Sequence, residues 1–238
     1  MYEFIPYGRQ NIDEEDVKAV IEALRSDWIT QGPRVEEFET RVAEYCGARY
    51  AVAFNSGTSA LHAAMFAAGI KSGDEVITTP LTFVATANAA LYVGARPVFV
   101  DIDENTYCID IEGIEEVITP RTRAIVPVDY AGYPVQMKRI KEIAAKHNLV
   151  VIEDAAHALG AEREGVKIGT QADMTMFSFH PVKHITTGEG GMIVCNSLDY
   201  YRRLKLFRNH GITKEAEYLE AHDGPWYYEM QELGYNFR

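Results

Sequence analysis

Lys183 stands in the stretch MTMFSFHPVKHITTGEGGMIV (174–194), between an apolar strand-like run and a glycine-rich turn, with Ser178 and His180 just before it. A lysine in such a place is held still yet reachable by a ligand, which suits an amine acting as nucleophile or proton carrier. Asp154 closes another apolar run, LVVIED (149–154), and His157 follows three residues later. A carboxylate there is costly to bury unless it meets a cation or several donors, and the plain alternative is a helix cap. Ser56, Gly57 and Thr58 follow YAVAFN (50–55) and open a helical pattern. The free N–H groups and partial positive charge of a helix start suit a phosphate, although simple N-capping uses the same residues. Phe83, after EVITTP (75–80), reads either as core or as a platform for a flat ring.

Each of these positions follows a strand-like run. The periodicity predicts strands over 50–55, 75–79, 96–102, 123–129, 149–154, 174–179 and 191–195. Helices are predicted over 34–47, 58–69, 82–93, 110–118, 136–148 and 198–211. This alternation, which begins near residue 35, predicts an α/β fold with a largely parallel central sheet covered on both faces. Ligands of such sheets bind beyond the C-terminal strand ends. No GxGxxG follows the first strand, which argues against a dinucleotide-binding fold.

With 238 residues, 47% of them hydrophobic, the chain has ample material for a core. A net charge of −12 without any basic cluster argues against nucleic acid as a partner. Three scattered cysteines, Cys46, Cys108 and Cys195, predict neither a disulfide framework nor a metal site. The first ten residues lack a signal-peptide pattern. The longest apolar stretch, 76–100, is broken by Pro80 and Pro97, so no membrane span is expected. A soluble, cytoplasmic protein is the expectation.

One ligand would use the whole set of strand-end residues: pyridoxal 5'-phosphate. Its phosphate calls for a helix start and hydroxyls, and its ring for an aromatic partner. Its pyridine nitrogen calls for a carboxylate, and its aldehyde for a lysine.

The stretches WITQGPRVEEFE (28–39), FNSGTSALHAA (54–64), TTPLTFVATANA (78–89), DYAG (129–132), EDAAHALGA (153–161), FSFHPVKHITTGEGG (177–191) and GYNFR (234–238) run through almost the whole chain in order. In these motifs the chain resembles the DegT/StrS-type nucleotide-sugar aminotransferases, which are fold-type I pyridoxal-phosphate enzymes. The resemblance implies a three-layer α/β large domain around a mostly parallel sheet. It also implies that Lys183 is the Schiff-base lysine and Asp154 the partner of the pyridine nitrogen. His157 would approach the cofactor's 3-hydroxyl, Ser178 and the Gly57–Thr58 turn its phosphate, and Phe83 its ring. Asn236 would reach the phosphate of the neighbouring subunit in a homodimer with shared active sites. Thr30 and Gly32 are expected at the mouth of the site, and His184 beside a sugar diphosphate or simply exposed.

Within the family, FVATANAALY (83–92), VDYAG (128–132) and LFRNHG (206–211) look most like the branch of the pseudaminic acid pathway. That branch aminates C4 of a UDP-linked 4-keto-6-deoxy-N-acetylhexosamine with glutamate as donor. Another branch carries histidine in place of the lysine and dehydrates its substrate, so Lys183 points to transamination. Residues 1–33 are expected to form an N-terminal segment at the site's mouth, and 34–238 the cofactor-binding large domain. Family members continue beyond the GYNFR motif, and a small C-terminal domain is expected to be absent here. The alternative expectation is a pocket protein without turnover.

Overall fold

The computed structural model describes residues 4–6 and 8–238. The chain enters through α1 (Glu14–Arg25), capped reciprocally by Asp13 and Asp16. This helix lies within residues 1–33, where the sequence reading places no helix. Its signal is an acidic capping box ahead of the amphipathic VKAVIEALR, and none of its residues is buried. α2 (Pro33–Cys46) starts on a proline and ends at Gly47 in the left-handed conformation.

The alternating part then runs β1 (Tyr50–Phe54), α3 (Gly57–Ala67), β2 (Glu75–Thr78), α4 (Ala85–Tyr92), β3 (Arg96–Phe99), β4 (Thr122–Val126), α5 (Met137–His147) and β5 (Val150–Asp154). A short hairpin follows, β6 (Glu162–Arg163) and β7 (Val166–Lys167). Next come β8 (Met174–Ser178), β9 (Gly191–Cys195) and α6 (Leu198–Arg208), and a last pairing of β10 (Ile212–Thr213) with β11 (Glu229–Met230).

Seven strands form one sheet in the order β1-β9-β8-β5-β4-β2-β3. All but β9 point the same way, so the sheet is mostly parallel. Side chains alternate between its faces. Val76, Val126, Ile152, Met176 and Ile193 pack under α3, α4 and α6. Ile77, Ile125 and Val151 face α5, while Phe177, Met192 and Val194 face α2. These are the three layers expected, with helices covering both faces of short apolar strands.

The helix expected over 110–118 is absent. Asp110 turns its carboxylate onto the N–H of Glu112, a local bond that competes with helix, and Gly113 adds backbone freedom. Only a single 3-10 turn, Glu115–Val117, remains, with Ile114 buried beside it. No helix among the described residues is long and apolar enough to cross a membrane.

Candidate active site

The C-terminal ends of the parallel strands open into a cavity of about 540 Å³. Lys183, Asp154, His157, Ser178, Gly57, Thr58 and Phe83 all line it. At one end, Ser56 caps α3 by accepting the Ser59 N–H, while the N–H groups of Gly57 and Thr58 at the helix start have no intrahelical acceptor. A side chain at Gly57 would press on Met176 and Ser178, at 3.2–3.5 Å, so glycine lets the helix start sit directly on β8. Gly191, opposite both Phe54 and Ser178 in register, closes the same corner. Any Cβ there would collide with the backbone of Ser56 and Gly57. The result is a narrow, donor-rich notch suited to an anion.

Lys183 lines this cavity from the loop beyond β8. Its loop is tied back to the fully buried Phe179, whose carbonyl accepts from Thr186 Oγ1 at 2.9 Å and from the Thr187 N–H at 3.1 Å. Burial lowers the Lys183 pKa, opposed by the charge of Asp154, so more of the amine is neutral than on a surface lysine. His157 is likewise lowered, first by burial and then by the positive charges of Lys183 and His184.

Asp154 is buried, its Oδ2 accepting from Thr86 Oγ1 at 2.6 Å and its Oδ1 from the Ala156 N–H at 3.2 Å. Burial raises its pKa, while those two donors and Lys183 hold it down. Asp129 and Glu153 are buried close by, each with one carboxylate oxygen lacking a partner. Burial raises both, and Asp129, also pushed by the charge of Asp154, reaches about 7.

This raised value has a thermodynamic consequence. Between its unfolded value near 4 and its folded value, Asp129 keeps a proton in the folded state that the unfolded chain releases. Stability therefore falls as pH rises through that window, by at most about 1.4 kcal/mol per pH unit for one group. Asp129→Asn is expected to flatten this slope between pH 5 and pH 8 in urea titrations. An unchanged slope would show that Asp129 ionises normally in the fold.

Phe83 is 74% exposed, which rules out the core reading, and it sits on the cavity wall. Thr30, Gly32, His184 and Asn236 are not among the lining residues. His184 is exposed nearby in the Lys183 loop. Asn236 bridges to Asn209 and accepts from Arg238 Nε at 3.1 Å. Gly32 borders a separate groove of about 780 Å³, walled by Arg202, Arg203 and Lys205 among others. That groove is larger, but it contains none of the strand-end groups. Chemistry rather than size marks the smaller cavity.

The cavity also contains residues not singled out in the sequence: Thr82, Thr86, Asp129, Tyr130 and Glu189. Asp129 closes the run RAIVPVD (123–129), so the strand-end rule that found Asp154 would have found it too.

The profile of the DegT/DnrJ/EryC1/StrS aminotransferase family matches residues 10–238. The chain belongs to this family. It is 46% identical over 237 residues to the UDP-4-amino-4,6-dideoxy-N-acetyl-beta-L-altrosamine transaminase of Campylobacter jejuni, covering 98% of this chain and 60% of that relative. Among solved structures it is similar to Helicobacter pylori PseC, an aminotransferase involved in the biosynthesis of pseudoaminic acid. The TM-score is 0.90 at 41% identity, covering 98% of this chain and 61% of the other. It is also similar to the PLP-form of a sugar aminotransferase from Streptococcus pneumoniae, with TM-score 0.88 at 32% identity, covering 97% and 62%. The chain thus spans about 60% of the length of these family members.

Proposed function

We propose that this protein is a pyridoxal 5'-phosphate-dependent aminotransferase that moves an amino group from glutamate to a nucleotide-linked 4-keto-6-deoxy sugar, with a UDP-linked N-acetylhexosamine as the favoured substrate. The observation that carries the reading is the convergence of Lys183, Asp154 and the α3 start on one cavity. The residues fit the cofactor. The glycine-cleared notch at Gly57 suits the phosphate, exposed Phe83 offers a face for the ring, and buried Asp154 offers a carboxylate for the ring nitrogen.

When bound, pyridoxal phosphate supplies an electron sink for a carbon that loses a proton. Lys183, with its lowered pKa, supplies an amine able to attack the aldehyde and to carry a proton at Nζ to and from the substrate carbon. Asp154 keeps a negative charge where the ring nitrogen needs one, inside a dry site where such a charge acts strongly. Thr58 and Ser178 add hydroxyl donors at the phosphate end, and His157 approaches the 3-hydroxyl side.

A homodimer is part of the proposal, with Asn236 reaching the partner's phosphate. So is a substrate mouth formed by residues 1–33, including Thr30 and Gly32, with residues 34–238 as the cofactor-binding domain and His184 near the sugar diphosphate. A cytoplasmic location fits a nucleotide-sugar substrate. The alternative of a pocket without turnover gains no support, since the family description and the solved structures cited above name aminotransferases.

The test supplies 15N-glutamate and a UDP-linked 4-keto-6-deoxy-N-acetylhexosamine, with mass spectrometry of the sugar. Heavy nitrogen on the sugar is the expected outcome. Bound cofactor with no transfer to any nucleotide-linked ketosugar would favour the non-catalytic alternative.

A further inference from the structure

We propose that Thr86, braced by Thr82, is a positioning residue that fixes the orientation and charge of the Asp154 carboxylate. The proposal rests on the reading of the cavity as a pyridoxal-phosphate site. Thr86 Oγ1 lies 2.6 Å from Asp154 Oδ2, and Thr82 Oγ1 lies 2.7 Å from Thr86 Oγ1. Thr86 is 1% exposed and Asp154 5%, so water does not compete for the inner bond.

The chain of hydroxyls has a direction. Thr86 has one proton, and a carboxylate can only accept, so that proton goes to Asp154. Thr86 must then accept from Thr82, which lies half-buried on the cavity wall. The Thr86 N–H bonds the Phe83 carbonyl at 3.1 Å, so the turn that presents the ring platform is the turn tied to the carboxylate. One bond therefore spaces two walls of the cavity, α4 and β5.

The bond also acts on charge. Around Asp154 stand Asp129 beyond β4, Glu153 on β5 itself, and Lys183 and His157 in the loops beyond β8 and β5. Burial favours a protonated Asp154, whereas a donated hydrogen bond favours the carboxylate. A protonated Asp154 would offer the ring nitrogen no negative charge. Thr86 opposes that outcome at the oxygen where its bond is shortest.

The test uses Thr86→Val, Thr86→Ser and Thr82→Val with two readouts. The first is the Asp154 titration midpoint, followed by carbon NMR of aspartate-labelled protein without cofactor. The second is the affinity for added pyridoxal phosphate. Thr86→Val is expected to raise the midpoint and weaken binding about 10- to 100-fold, the range for a hydrogen bond to a charged group. Thr86→Ser should restore both, and Thr82→Val should shift both in the same direction by less.

A folded Thr86→Val with wild-type midpoint and affinity would overturn the proposal, as would a folded Thr86→Ser that fails to rescue. If Thr86→Val does not fold, Thr82→Val decides, and its unchanged midpoint counts against the relay. A wild-type protein that binds no pyridoxal phosphate would instead sink the cofactor reading, because the midpoint is measured without cofactor.

Discussion

Lys183→Ala is expected to abolish nitrogen transfer while leaving the fold intact. Among the described residues no ion pair involves Lys183, and burial works against its charge, so its removal should cost little stability. Loss of the proton carrier alone lowers turnover by about 10²–10⁴-fold. On the proposed reading, loss of the cofactor's covalent anchor would add to this. Lys183→Arg should be no better, since a guanidinium does not give up its proton near neutral pH. A folded Lys183→Ala protein with measurable transfer of labelled nitrogen would remove the lysine from the chemistry.

Asp154→Asn is expected to separate activity from stability. The amide keeps the shape of the side chain but removes the charge from a water-poor site. Losses of about 10²–10³-fold in kcat are typical when one preorganised electrostatic partner is removed. Stability should move the other way. The folded pKa of Asp154 is raised, so its ionised form weakens the fold as pH rises through that value. The variant should therefore be at least as resistant to urea as the wild type at pH 8. A variant that is both unstable and active would make Asp154 a structural cap.

The strand-end rule made much of the site legible. Asp154 and Ser178 end the short apolar strands β5 and β8, Lys183 lies just beyond β8, and in a mostly parallel sheet such positions gather at one edge. Phe83 stayed ambiguous because an aromatic after a strand packs inward or outward according to its tertiary neighbours. The tie between Thr86 and Asp154 could not be read at all, since it joins residues 68 apart through a contact that only the folded sheet creates. α1 was readable from its capping box, but lay ahead of the alternation that organised the reading. The helix expected over 110–118 failed for a local reason, the Asp110 side chain competing for backbone N–H groups.

The central claim is that Lys183 is the residue that holds pyridoxal phosphate. Borohydride reduction of the purified protein with pyridoxal phosphate, followed by peptide mass spectrometry, tests it most directly. The account predicts one stoichiometric label, on Lys183, that disappears when the cofactor is first exhausted with glutamate. A label on another lysine, Lys167 or Lys205 for example, or no label on a protein that binds the cofactor, would contradict it.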